Sequence, residues 1–240
     1  MEIAFEIISD DYCRELGALR TLVAVSSQNN LHAKVRIAAS NSATLLLAAT
    51  FEQFIREMAR EYARAVVQSV DSFERLPAKI ASTAWKRIMD GLSKVQLDMR
   101  NNVGRGSTIA AAQVKFSLIY DFCNGDLTKD IYADLIHNEN NMRPTMLNSL
   151  FVISDLKDVC QKMSFKFPIL EFFGESEPGK AHGKLIAGLE SFFERRNSIA
   201  HALNHRQSDG PTQIENDIAM FECVGLALLA TLKENAPAPA

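Results

Sequence analysis

Apolar residues along this chain recur at spacings of three and four, and period-two alternation is nearly absent. That repeat belongs to helices turning one face to a core, so the pattern predicts an all-α protein. The clearest stretch is NSATLLLAATFEQFIREMAREYARAVVQSV, residues 41–70. There Phe51, Phe54, Ile55, Met58, Tyr62 and Val66 form one stripe. Glu52, Arg56, Glu57, Arg60, Glu61 and Arg64 take the opposite side, with supporting pairs such as Glu52 to Arg56.

The same periodicity predicts helices over about 10–27, 77–99, 107–124, 127–137, 144–163, 181–204 and 212–234. Turn chemistry separates them in MRNNVGRGS (99–107), HNENNMRP (137–144) and GESEPGKAHG (174–183). DGPTQIE (209–215) reads as a helix start, with Pro211 near the first turn and Thr212 three residues before Glu215 as a capping box. The opening MEIAFEII reads as a short strand or an irregular lead-in, and 236–240 as a disordered tail. With no internal repeat and no long linker, residues 1–235 are expected to form one helical domain.

Composition narrows the function classes. A chain of 240 residues with 47% apolar and 23% charged positions buries a real core. A formal charge of −3 excludes a globally basic nucleic-acid surface, so any phosphate contact needs a local cluster. One exists: from Lys180 to Arg206, the bases Lys180, Lys184, Arg195, Arg196 and Arg206 outnumber the acids Glu190 and Glu194, with His182, His201 and His205 added. Cys13, Cys123, Cys160 and Cys223 stand singly, which suggests neither a zinc knuckle nor a disulfide framework and fits reduced thiols. No metal or cofactor is expected: GxGxxG and P-loop spacings are absent, and Asn101, Asn102 and the glycines around Arg105 read as turn formers. The longest apolar run, CVGLALLATL (223–232), falls short of the roughly 20 residues a membrane span needs. Nor does a leader-like segment open the chain, so a cytoplasmic protein without membrane contact is expected.

The sharpest local signal is RRNSIAH, residues 195–201. On a wheel of about 100° per residue, Leu185, Leu189, Phe192, Phe193, Ile199, Ala200 and Leu203 fill one arc, and Arg196 falls in its middle. Asn197 lies at the edge of that arc, His201 about 40° beyond it, and Arg195 toward solvent. A guanidinium on an apolar face is costly unless it is paired or faces a phosphate. Two plain readings stay open beside a functional one. Arg196 either snorkels out or pairs with a carboxylate such as Glu52, and His201 is a helix-end histidine favoured by the dipole. His137 reads as a solvated loop histidine, and the 14 phenylalanines as core rather than base-stacking platforms.

Arg196-Asn197-x-x-x-His201, near the end of an apolar helix and followed by another amphipathic helix, resembles the R-x(4–6)-H motif of the HEPN superfamily. LLLAATFEQFIREMAREY (45–62) resembles the first core helix of its bacterial, defence-associated branches. The resemblance covers about 41–70 and 181–234, leaving 77–170 as a helical insertion of unknown role. It implies an antiparallel helical bundle that dimerises with its motifs at the interface. It also implies a metal-independent endoribonuclease, a toxin or anti-phage defence effector with an antitoxin or defence-system partner. Arg196 and His201 would be catalytic, with Asn197 orienting ligand or histidine, and Glu52, Arg195 and His205 supporting. The residue types suit the chemistry: imidazole moves protons near neutral pH, and guanidinium braces charge developing on a phosphate. The products would be a 2′,3′-cyclic phosphate and a 5′-hydroxyl. The alternative is a non-catalytic HEPN-like RNA-binding or protein-interaction module; a nucleotide-binding or nucleotidyl-accepting helical protein is a third, weaker class.

Overall fold

The computed structural model describes residues 2–27, 31–97, 102–137, 141–201 and 209–238. Among the described residues there are ten α-helices, one 3-10 turn at Phe73–Arg75, and no strand. The helices are α1 (Glu2–Ser26), α2 (Ala33–Gln68), α3 (Ala78–Ser93), α4 (Asn102–Cys123) and α5 (Tyr132–Leu135). They continue as α6 (Pro144–Val152), α7 (Val159–Met163), α8 (Phe167–Phe173), α9 (Pro178–His201) and α10 (Pro211–Asn235). The fold is all-α, as the period-3.6 pattern requires.

The chain divides into two compact units, one of Met1–Met58, Glu139–Ser149 and Lys157–Asn235, the other of Ala59–Asn138, Leu150–Leu156 and Ala236–Ala240. In the first unit α1 lies antiparallel to α10. Lys233 pairs with Glu6, the Tyr12 hydroxyl donates to the Phe221 carbonyl at 3.2 Å, and Arg20 pairs with Glu222. An aromatic cluster fills the space between α2, α9 and α10. Phe51 meets Phe221 and Phe193 at ring-centroid distances of 4.4 and 6.4 Å, and Phe192 meets Phe221 at 4.6 Å. The short α7 and α8 pack against both α9 and α10.

In the second unit α3 packs on α4 and α5 through the buried Ile80, Ala84 and Ile88. The end of α2 supplies polar support there. The Arg64 guanidinium lies over the Tyr132 ring at 4.8 Å, Arg60 donates to the Ile136 carbonyl and Arg87 to the Leu135 carbonyl. These last two bonds occupy carbonyls that the short α5 leaves without helical partners. The polar side of α2 is therefore half-buried rather than solvated, while its expected apolar stripe from Phe51 to Val66 is buried throughout.

Several boundaries differ from expectation for identifiable reasons. MEIAFEII is neither strand nor lead-in but helix from Glu2, because Phe5, Ser9, Tyr12, Leu16, Leu19 and Val23 continue the three-and-four spacing against α10 and all are buried. Packing outweighs the weak helix propensity of the isoleucines. The turn expected over 99–107 gives way to helix by Asn102 despite Gly104 and Gly106. Residues 144–163 are not one helix: Asp155 (φ 64°) and Asp158 (φ 52°) adopt the left-handed region that Asp tolerates better than most residues, and they separate α6 from α7. The helix expected over 127–137 shrinks to Tyr132–Leu135, and α8 is an unanticipated helix, opened by Pro168 and closed by Gly174 at φ 61°. GESEPGKAHG turns into helix from Pro178. At α10 the Gly210 carbonyl accepts the first amides, those of Gln213 and Ile214, so Thr212 sits inside the first turn and caps nothing.

At Gly225 of α10 the packing against α1 is tight: a Cβ there would meet Tyr12 Cε1 at 2.8 Å and Phe54 Cε1 at 3.6 Å. The Tyr12 ring has little freedom to move, since it stacks on Phe54 at 4.0 Å and is tethered through its hydroxyl. Gly225→Ala is therefore expected to destabilise the protein by about 1–3 kcal/mol despite alanine's higher helix propensity. Gly17 in α1 is exposed with nothing within 4 Å of its Cβ position, so Gly17→Ala should add about 0.5–1 kcal/mol. Urea midpoints of the two variants test both signs.

Candidate functional site

α9 carries the candidate residues, and its rotation about its own axis decides where each one points. Phe192 and Phe193 are fully buried against Phe51 and Phe221. The polar run that follows is thereby distributed around the helix at about 100° per residue.

Arg195 turns to α10 rather than to solvent as the wheel placed it. Its Nη2 donates to both carboxylate oxygens of Asp217 at 2.7 and 2.6 Å, its Nε to Asp209 at 3.2 Å and its Nη1 to Ser191 at 2.8 Å. Gln213 adds a bond of 3.0 Å to Asp217, which is only 4% exposed. Burial raises the Asp217 carboxyl pKa, while Arg195 pulls it the other way. All three guanidinium nitrogens of Arg195 are thus engaged, and the residue fastens α9 to α10.

Arg196 is held differently. Its Nη1 donates to Asn197 Oδ1 at 3.3 Å, while its Nε is buried and has no hydrogen-bond partner among the described residues. The side chain has swung toward Asn197, the side on which His201 also lies, which reduces the roughly 140° that five helical residues put between Arg196 and His201. Glu52 on α2 feels the Arg196 charge. Its carboxylate is 15% exposed, stands 3.9 Å from Arg56 and faces the backbone amide of Met142, with Oε1 lacking a partner among the described residues. Burial raises the Glu52 pKa above its ordinary value, outweighing the two arginines and the amide.

Three consecutive residues before α6 close this corner. Asn141 Nδ2 donates to Asn197 Oδ1 at 2.7 Å, the Met142 amide faces Glu52, and Arg143 pairs with Glu190. Asn141 and Arg143, with Thr145 and Met146, line an open hollow of about 290 Å³. His201 is exposed at the last described position of α9. His205 lies outside the described residues. The structure therefore gathers Glu52, Arg196 and Asn197, sets His201 exposed farther along the same helix, and assigns Arg195 to the α10 contact.

Asn141, Arg143, Asp209 and Asp217 are the participants that sequence reasoning missed. Asp217 had a signal, since it stands inside the apolar i, i+3, i+4, i+7 stripe of Ile214, Ile218 and Phe221. Asn141 had none, because an asparagine within HNENNMRP is indistinguishable from a turn former.

Removing the Asp217 carboxylate leaves the Arg195 guanidinium half-buried with only the longer carboxylate contact to Asp209 among those described. Asp217→Ala should therefore lower stability by about 2–4 kcal/mol, and the double change Arg195→Met with Asp217→Leu should recover most of it. Chemical denaturation of the three proteins decides this. The raised Glu52 pKa means that the folded chain binds this proton more tightly than the unfolded one. Its stabilising contribution is present below the ordinary value of 4.5 and is lost as pH rises through the raised value. Glu52→Gln is expected to flatten that part of the stability profile above the ordinary value of 4.5, leaving the part due to Asp217 in place.

With the site's geometry in view, comparison with known proteins adds one match. The family model described as RiboL-PSP-HEPN matches residues 10–226, a stretch that includes 77–170. No curated protein and no solved structure matches the chain. Among the described residues no helix is long and apolar enough to cross a membrane. An all-helical fold carrying Arg196-Asn197-x-x-x-His201 on α9, together with a family match over most of its length, places this chain in the RiboL-PSP-HEPN family of the HEPN superfamily.

Proposed function

We propose that this protein is an endoribonuclease that cleaves RNA without a metal ion, by attack of a ribose 2′-hydroxyl on the adjacent phosphate. Membership of the HEPN superfamily supports an RNA-related function. The observation that carries the finer reading is the contrast between neighbouring arginines. Arg195 is fully engaged within the protein, whereas among the described residues Arg196 keeps a buried Nε without a partner and is anchored on Asn197. A guanidinium with donors to spare suits charge building up on a phosphate.

In this reading the 2′-oxygen forms a bond to phosphorus as the bond from phosphorus to the 5′-oxygen breaks. One imidazole takes the 2′-hydroxyl proton and a second donates a proton to the departing 5′-oxygen. Two copies of His201, one from each protomer of a homodimer with the motif at its interface, would fill these roles. Arg196 braces the phosphate oxygens, and Asn197 orients the phosphate through its amide. The basic residues Lys180 and Lys184 on α9 add salt-sensitive backbone contacts. Such an activity fits a toxin or anti-phage defence effector restrained by a partner protein.

Purified protein should cleave labelled mixed-sequence RNA in EDTA and leave 2′,3′-cyclic phosphate ends. His201→Ala and Arg196→Ala should each lose about 100-fold or more in rate while keeping their helical content. Silence of the wild type and both variants, with all three folded, would favour the non-catalytic RNA-binding or interaction module instead.

A further inference from the structure

Among the described residues, the middle of the chain reaches the motif through Asn141. Its Nδ2 donates to Asn197 Oδ1 at 2.7 Å, and the same oxygen accepts Arg196 Nη1 at 3.3 Å. A carbonyl oxygen has two lone-pair directions, and here both are filled. If the Asn197 amide turned over, its NH2 group would face the Arg196 guanidinium, donor against donor, and the Asn141 amide would have to turn over as well to offer its oxygen. The present orientation is therefore strongly preferred, and it turns the Asn197 Nδ2 hydrogens away from both partners.

The geometry points to Asn141 as a positioning residue of the ribonuclease site, one that acts through Asn197 on the RNA phosphate. This role rests on the function proposed above. Asn141 holds the oxygen end of the Asn197 amide inward, so that the donor end is presented to a phosphate oxygen and the accepting end stays with Arg196. Its neighbours keep it in place: Met142 is fully buried with its amide facing Glu52, and Arg143 is paired with Glu190 on α9. Three successive residues are thus tied to α2 and α9, which gives Asn141 the fixed backbone that an orienting hydrogen bond needs.

The test is a double-mutant cycle between positions 141 and 197, with Asn141→Asp as the near-isosteric variant. Asn141→Ala should lower the maximal cleavage rate about 10-fold to 100-fold with KM changed less than about twofold. Asn141→Asp, which replaces the donor with a second acceptor, should lose at least as much. In an Asn197→Ala background neither substitution should have a further effect. Wild-type rates for Asn141→Asp, or losses that multiply with that of Asn197→Ala, would overturn the assignment while leaving the ribonuclease reading intact. If the wild type does not cleave, the same cycle is read as the Kd for a 2′-O-methyl RNA oligonucleotide. Coupling there would keep the positioning role and reject only the catalytic reading; additive effects or an absence of binding would overturn it.

Discussion

Burial of Phe192 and Phe193 against Phe51 and Phe221 is the contact on which the site depends. Each aromatic side chain taken out of water contributes about 2–3 kcal/mol, so turning α9 about its axis to expose either ring is strongly opposed. With the rotation fixed, the next polar residues have no choice of direction. Arg195 faces Asp217 on α10, Arg196 faces the α2 side where Glu52 stands, and Asn197 faces Asn141. One apolar contact thus sorts three adjacent polar side chains among three different neighbours.

The electrostatics of that sorting are uneven. Asp217 is 4% exposed, and the bonds from Arg195 and Gln213 lower its pKa against the burial that raises it, which prevails. Around Arg196, Nε and the nearby Glu52 Oε1 are both buried and without a hydrogen-bond partner among the described residues. Unmet donors and acceptors of this kind lower stability, and natural folds retain them where binding or chemistry makes use of them. The neighbouring pair shows that the same helix, one residue earlier, is capable of a complete set.

Much of this was legible in the residues. The stripe from Phe51 to Val66 marked α2, the apolar arc of Leu185 to Phe193 marked α9, and Arg196 stood out because it interrupts that arc. The extent of α1 was legible too in the spacing from Phe5 to Val23, although MEIAFEII on its own reads as a short strand or an irregular lead-in. The break between α6 and α7 was not, because Asp155 and Asp158 enter the left-handed region under the pull of packing on both sides, and aspartate is common in helices and turns alike.

What the sequence by itself determined is periodicity, and periodicity determines which residues share a face: hence the all-α class, the buried stripes, and the spacing of Arg196, Asn197 and His201 along one helix. Only the tertiary structure decided what stands opposite each face. The wheel turned Arg195 toward solvent, and Asp217, 22 residues on, drew it to α10. No spacing rule links Asn141 to Asn197, 56 residues apart, and no pattern distinguishes an asparagine that makes a turn from one that orients a neighbour. A helical repeat is a local property of the chain, whereas the partner of a polar side chain is fixed by which segments the core brings together.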